Sequence, residues 1–183
     1  MQGDRDLGEE EHCEVPALDV GQFVQEDCAQ AGGLPLPDVL ALIGQIAETL
    51  DHLHGQQPVV VHGDLKPANI VVTPDGRAVL VDFGAAMRVG DDHDRLGTPG
   101  FSAPEVLSGD DIGPAADIYS LAAVTVFLLT GIAPKLGTTW PQAIADRNLT
   151  RLERVIRRGL MWDPLGRPWS ASDFSRSVRD AAE

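Results

Sequence analysis

The run His62-Gly63-Asp64-Leu65-Lys66-Pro67-Ala68-Asn69, followed by Asp82-Phe83-Gly84, gathers the residue types that moving a phosphoryl group requires. In such a transfer negative charge spreads over the phosphate oxygens, so a catalyst chiefly needs positioned cations and a carboxylate beside the attacking hydroxyl. Asp64 offers the carboxylate. Lys66 projects to the same side of an extended loop two residues later, and Asn69 and Asp82 offer the oxygen ligands that Mg²⁺ prefers. Plainer roles exist for each: an Asp in a His-Gly-Asp turn can simply form the turn, and Asp-Phe-Gly can simply end a strand. Their order along the chain favours chemistry. The chain has only two lysines, Lys66 and Lys135.

These residues must be positioned by the elements around them. From Asp38 to His54 the apolar residues Val39, Leu42, Ile43, Ile46, Leu50 and Leu53 recur at three- and four-residue steps, which predicts a helix with one buried face running into the motif. Val59 to Val61, Ile70 to Val72 and Ala78 to Val81 read as short strands, with Pro74-Asp75-Gly76 as the turn between the last two. Beyond Gly109, Ala115 to Thr130 is apolar nearly all round and reads as a buried central helix. Ala17 to Ala31, Thr139 to Arg147, Leu149 to Leu160 and Ser170 to Ala182 read as further helices, the last capped by Ser170 or Ser172. Gly32, Gly33, Pro35 and Pro37 break the chain before Asp38. Residues 1–14 are rich in Asp and Glu and read as a solvated, mobile arm.

With 183 residues and 43% hydrophobic content, the chain can bury one core. The net charge of −14 argues against a nucleic-acid partner, because phosphate binding wants a basic patch. It weakly favours a basic peptide substrate, while acidity that merely keeps the protein soluble is the plainer reading. Cys13 and Cys28 share no zinc-like spacing with histidine and read as free thiols. No basic, apolar leader opens the chain, and the run from Ile118 to Leu129 falls short of the roughly 20 residues that cross a bilayer. The expectation is a cytoplasmic protein with no membrane partner.

From about Leu34 onward the chain resembles the eukaryotic-like Ser/Thr protein kinases. Besides the two motifs above, Gly97-Thr98-Pro99-Gly100-Phe101-Ser102-Ala103-Pro104-Glu105 is similar to the end of an activation segment. Asp117-Ile118-Tyr119-Ser120 opens the central helix, and Arg167 in Asp163-Pro164-Leu165-Gly166-Arg167-Pro168 resembles the arginine that pairs with that glutamate. The resemblance implies ATP and Mg²⁺ as cofactors and a protein or peptide substrate. It makes Asp64 the base at the substrate hydroxyl and Lys66 the cation at the γ-phosphate. It makes Asn69 and Asp82 metal ligands, Val71 part of the floor beneath adenine, and Thr98, with Lys66, the mark of a serine or threonine acceptor. His62 and Phe83 would pack the two loops together, Asp117 would tie the central helix to the catalytic loop, and Glu105 would form a buried pair with Arg167.

The implied fold is α+β and mainly helical: the large lobe of a kinase over residues 15–183, with a short β-hairpin region. The strand-rich small lobe with its glycine-rich loop and phosphate-binding lysine has no counterpart in the sequence, since no lysine precedes Lys66. An isolated large lobe is expected to be a weak or inactive enzyme, with an upper face open to a covering partner. Gly63 stands where many kinases carry an arginine that reads a loop phosphate, and no Ser, Thr or Tyr lies between Ala85 and Gly97. A phosphate switch needs both parts. Two other classes remain: a noncatalytic kinase-like binding module, and a small-molecule phosphotransferase of the aminoglycoside-kinase type. The peptide-docking segment Gly97 to Glu105 argues against the latter.

Overall fold

Leu36–His54 forms the first helix (α1) of a computed structural model that describes residues 32–90, 97–134 and 150–183. The helix begins two residues earlier than the sequence suggested and takes Pro37 into its first turn. A proline is tolerated there because the amide it lacks would have no partner in the helix. Val39, Ile43, Ile46, Ala47 and Leu50 form the buried stripe.

Two short strands follow α1, with a 3₁₀ turn at Pro67–Asn69 between them: β1 at Val60–Val61 and β2 at Ile70–Val72. Then come β3 at Ala78–Leu80 and β4 at Met87–Arg88. β2 and β3 are an antiparallel hairpin with Ile70 opposite Leu80 and Val72 opposite Ala78. Gln45 of α1 fastens it: its side-chain oxygen accepts the Ala78 amide at 2.9 Å and its nitrogen donates to the Gly76 carbonyl at 3.2 Å. β1 pairs instead with β4, across the intervening motif, so Val61 lies opposite Met87. Sequence periodicity missed β4, which is two residues long and is defined by its partner rather than by its own composition.

The other helices among the described residues are α2 at Pro104–Ser108, α3 at Pro114–Thr130, α4 at Thr150–Gly159 and α5 at Ala171–Ala182. The five-residue α2 was not anticipated. α3 is buried from Ala116 through Thr130. The hydroxyls of Ser120, Thr125 and Thr130 donate to the carbonyls four residues back, which satisfies them inside the apolar core, and that of Thr130 also accepts the Ile132 amide at 3.1 Å. Asp117 is the one carboxylate in that buried stretch and must find partners elsewhere. At Gly159 a Cβ would stand 2.6 Å from that of Ala122 and 2.9 Å from the Phe174 ring, so glycine lets α4 end against both α3 and α5.

α5 packs on α1 and is capped by it. The Asp51 carboxylate accepts the amides of Ala171 at 2.9 Å and Ser172 at 3.1 Å, and the Ser170 hydroxyl accepts the Asp173 amide at 3.0 Å. Three amides left without helical partners are thereby satisfied. The helices expected at Ala17 to Ala31 and Thr139 to Arg147, and the acidic arm, lie outside the described residues. Because one carboxylate holds two amides across the α1–α5 interface, Asp51→Ala should lower unfolding free energy by about 1–2 kcal/mol in urea titrations. A variant as stable as the parent would contradict this reading of the cap.

Candidate active site

The loop between β1 and β2 carries Asp64 and Lys66, and its shape is set from below by Asp117. That carboxylate, fully buried in the first turn of α3, accepts the His62 amide at 2.8 Å and the Gly63 amide at 3.0 Å. His54, in the last turn of α1, adds its Nε2 to the same carboxylate at 2.8 Å. Gly63 adopts φ +78°, and a Cβ there would lie 2.7 Å from the Ala85 carbonyl oxygen. In this conformation the position has room for glycine alone.

Above this anchor, Asp64, Lys66 and Thr98 close a triangle. Lys66 Nζ donates to Asp64 Oδ2 at 2.5 Å and to the Thr98 hydroxyl at 3.1 Å, while the Thr98 hydroxyl donates to Asp64 Oδ1 at 2.7 Å. Lys66 and Asp64 remain partly open to solvent. Thr98 is held in turn by Ser102, whose hydroxyl accepts the Thr98 amide at 2.6 Å. Ser102 was passed over as a positioning residue in the sequence; its place four residues after Thr98 in a tight turn is the only local signal.

Asn69 closes the loop from its far end. Its side-chain nitrogen donates to the Asp64 carbonyl at 2.9 Å, and its own carbonyl accepts the Val81 amide at 3.0 Å, which brings the chain just before Asp82 alongside. Asp82 is exposed and has φ +60°, an uncommon conformation for a residue other than glycine. One of its oxygens accepts the Gly84 amide at 3.2 Å. Val71 sits at the middle of the β2–β3 ladder opposite Val79. The Phe83 ring is 46% exposed and lies 5.1 Å from the ring of His62, tilted by 49°. His62 is fully buried, and neither ring nitrogen has a hydrogen-bond partner among the described residues, so its contribution there is packing.

Glu105 and Arg167 form a buried, two-pronged pair at 2.5 and 2.9 Å. The other three donors of Arg167 go to the carbonyls of Met161 at 2.8 Å, Ala115 at 2.9 Å and Trp162 at 3.1 Å. All five guanidinium N–H groups are thus used. The same guanidinium lies over the Tyr119 ring at 5.1 Å. Burial pushes the Tyr119 phenol above its ordinary pKa, with Arg167 opposing and Glu105 adding to the rise. The sequence suggested the pair; it held no sign of the three carbonyls.

With this geometry in place, similarity to known proteins becomes informative. The protein kinase domain model matches residues 18–176. The serine/threonine-protein kinase PknF of Mycobacterium tuberculosis strain H37Rv is 36% identical over 169 residues, covering 80% of this chain and 35% of that protein. PknD of the same strain is 34% identical over 172 residues, covering 83% of this chain and 26% of that protein. The crystal structure of the M. tuberculosis PknI kinase domain superposes with a TM-score of 0.70 at 30% identity, covering 90% of this chain and 62% of that one. The chain belongs to the protein kinase family. Its relatives are bacterial serine/threonine kinases, and it spans about a third or less of the length of PknF and PknD.

Because Arg167 has no water to fall back on when its carboxylate is removed, Glu105→Ala should cost about 3–5 kcal/mol of stability, read as a large drop in melting temperature. An unchanged melting temperature would mean that the pair is decorative.

Proposed function

We propose that the chain carries the large-lobe half of a serine/threonine phosphotransfer site, as the kinase large lobe over residues 15–183. The observation that carries the proposal is the closed Asp64–Lys66–Thr98 triangle, which sets a carboxylate and an ammonium side by side around one hydroxyl. A substrate serine or threonine hydroxyl taking the place of that of Thr98 would meet the same two groups. Asp64 then orients the hydroxyl and receives its proton, while Lys66 neutralises the charge that develops on the moving phosphate.

Asn69 and Asp82 fit a hard cation held together with phosphate oxygens. The nitrogen of Asn69 is committed to the Asp64 carbonyl, which leaves its side-chain oxygen as the free end, and Asp82 retains an oxygen beyond the one on Gly84. No group of three or more His, Cys, Asp or Glu side chains that could hold a metal occurs among the described residues. Two protein oxygens suit Mg²⁺, which keeps waters and substrate phosphates among its ligands. When bound, the ion would neutralise phosphate charge. Val71 would line the floor beneath the ATP adenine.

Val79, Phe83 and Val89, on the segments flanking Asp82, keep 42%, 46% and 46% of their surface exposed. A small lobe or partner covering them would also exclude water from the nucleotide, and without such a cover the charge interactions above are weakened by solvent. The chain by itself is therefore a slow enzyme. Incubated with MgATP and a basic protein containing serine, threonine and tyrosine, it should label serine and threonine slowly. Asp64→Asn should lower the rate about 10²–10⁴-fold. Labelling on tyrosine, or a rate indifferent to Asp64→Asn, would contradict the proposal, and rapid turnover by the wild-type chain would overturn the need for a cover.

A further inference from the structure

The segment from Met161 to Trp169 leaves an unusual amount of apolar surface in water. Trp162 is 69% exposed, Leu165 93% and Trp169 94%. Single exposed apolar residues need no explanation, but two tryptophans and a leucine within eight residues form a patch of the kind that marks an interaction surface.

Beside it lies a cavity of about 800 Å³ between the loop that follows α2 and the 3₁₀ turn at Pro164–Gly166. Its walls include Trp162, Pro104 and Pro164, and its charged groups include Asp110, Asp111 and Asp163. The volume is that of a site able to take several side-chain groups. Asp163 spends one oxygen on the Leu165 amide and Asp110 one on the Ser108 hydroxyl. None of the three is in an ion pair among the described residues. Arg167, which pairs with the lining residue Glu105, is not free to serve them, because its five donors are committed to Glu105 and three carbonyls. The Nε of Arg158 is aimed at the Gly166 carbonyl.

A concave site that joins an open indole face to unpaired carboxylates is complementary to a guanidinium, which stacks on aromatic rings and forks to carboxylates. The chain already contains that arrangement once, where Arg167 lies over Tyr119 and grips Glu105. We propose that this cavity is a docking site for an arginine-containing basic segment of a partner protein. It is separate from the phosphotransfer site: none of Asp64, Lys66, Asn69, Asp82 or Thr98 lines it. The net charge of −14 on the whole chain favours the approach of such a segment.

The test is binding, and it needs no catalytic activity. The full chain is titrated with a blocked tetra-arginine peptide, following heat of binding and tryptophan fluorescence. Trp162→Ala and the pair Asp111→Asn with Asp163→Asn are compared with a charge-matched control pair, Asp180→Asn with Glu183→Gln. Asn keeps the cap at position 163, and melting curves verify that each variant is folded. The expected result is about tenfold weaker binding in both cavity variants, a change under about twofold in the control pair, and weaker binding of tetra-lysine than of tetra-arginine. Equal losses in the cavity and control pairs would reveal diffuse charge attraction and overturn the proposal. So would unchanged affinity in Trp162→Ala, or tetra-lysine binding as tightly as tetra-arginine.

Discussion

Asp117 is a carboxylate placed in the first turn of a helix whose every residue from Ala116 to Thr130 is buried. Left alone, a charge in that position would oppose folding by many kcal/mol, so the chain can fold only if donors are delivered to it. They come from two places distant in sequence: the His62 and Gly63 amides, and the His54 ring at the end of α1. Hydrogen bonds to a charged group contribute about 1.5–3 kcal/mol each, and here the same bonds decide which way the loop faces. Satisfying the core and aiming Asp64 are one event.

The rest of the site hangs from that bend. Gly63 in its left-handed conformation lets the Ala85 carbonyl come close, and the β1–β4 pairing keeps the following segment alongside. Asn69 then fixes the Asp64 backbone, and Ser102 fixes Thr98, so both ends of the Asp64–Lys66–Thr98 triangle are held by groups outside it. Arg167 does the corresponding work for Glu105 just past Ala103, tying the end of the segment that carries Thr98 to the start of α3 through the Ala115 carbonyl. A side chain is only as well placed as the shell behind it, and here that shell is mostly polar side chains gripping backbone amides and carbonyls.

What the sequence revealed follows from which forces act locally. The apolar stripe of α1, the all-round apolar run of α3 and the Ser170 cap of α5 are properties of a few neighbouring residues, and they were legible. So were Asp64 and Lys66, whose spacing of two on an extended loop put them on one side. The Asp51 cap on α5 joins residues about 120 apart, and the donors on Asp117 come from 54 to 63 residues away, so neither leaves a local trace. β4 and α2 are too short to carry a period. The start of α1 is hidden in the sequence by Pro37, which reads as a breaker yet occupies the first turn, the one stretch of a helix that accepts proline. The exposure of the tryptophans at 162 and 169 leaves no trace in the sequence, since exposure cannot be read from residue type.

The central claim is that a buried carboxylate in α3 holds the bend that carries Asp64. Amide hydrogen exchange at His62 and Gly63, followed by NMR in the wild-type chain and in Asp117→Ala, tests it most directly. Both amides should exchange as slowly as the core of α3 in the wild type, and in the variant they should exchange at least about a hundredfold faster than other loop amides change, the loss of two charge-assisted bonds. Rapid exchange at these two amides in the wild type, or protection untouched by Asp117→Ala, would show that the loop is shaped by something else.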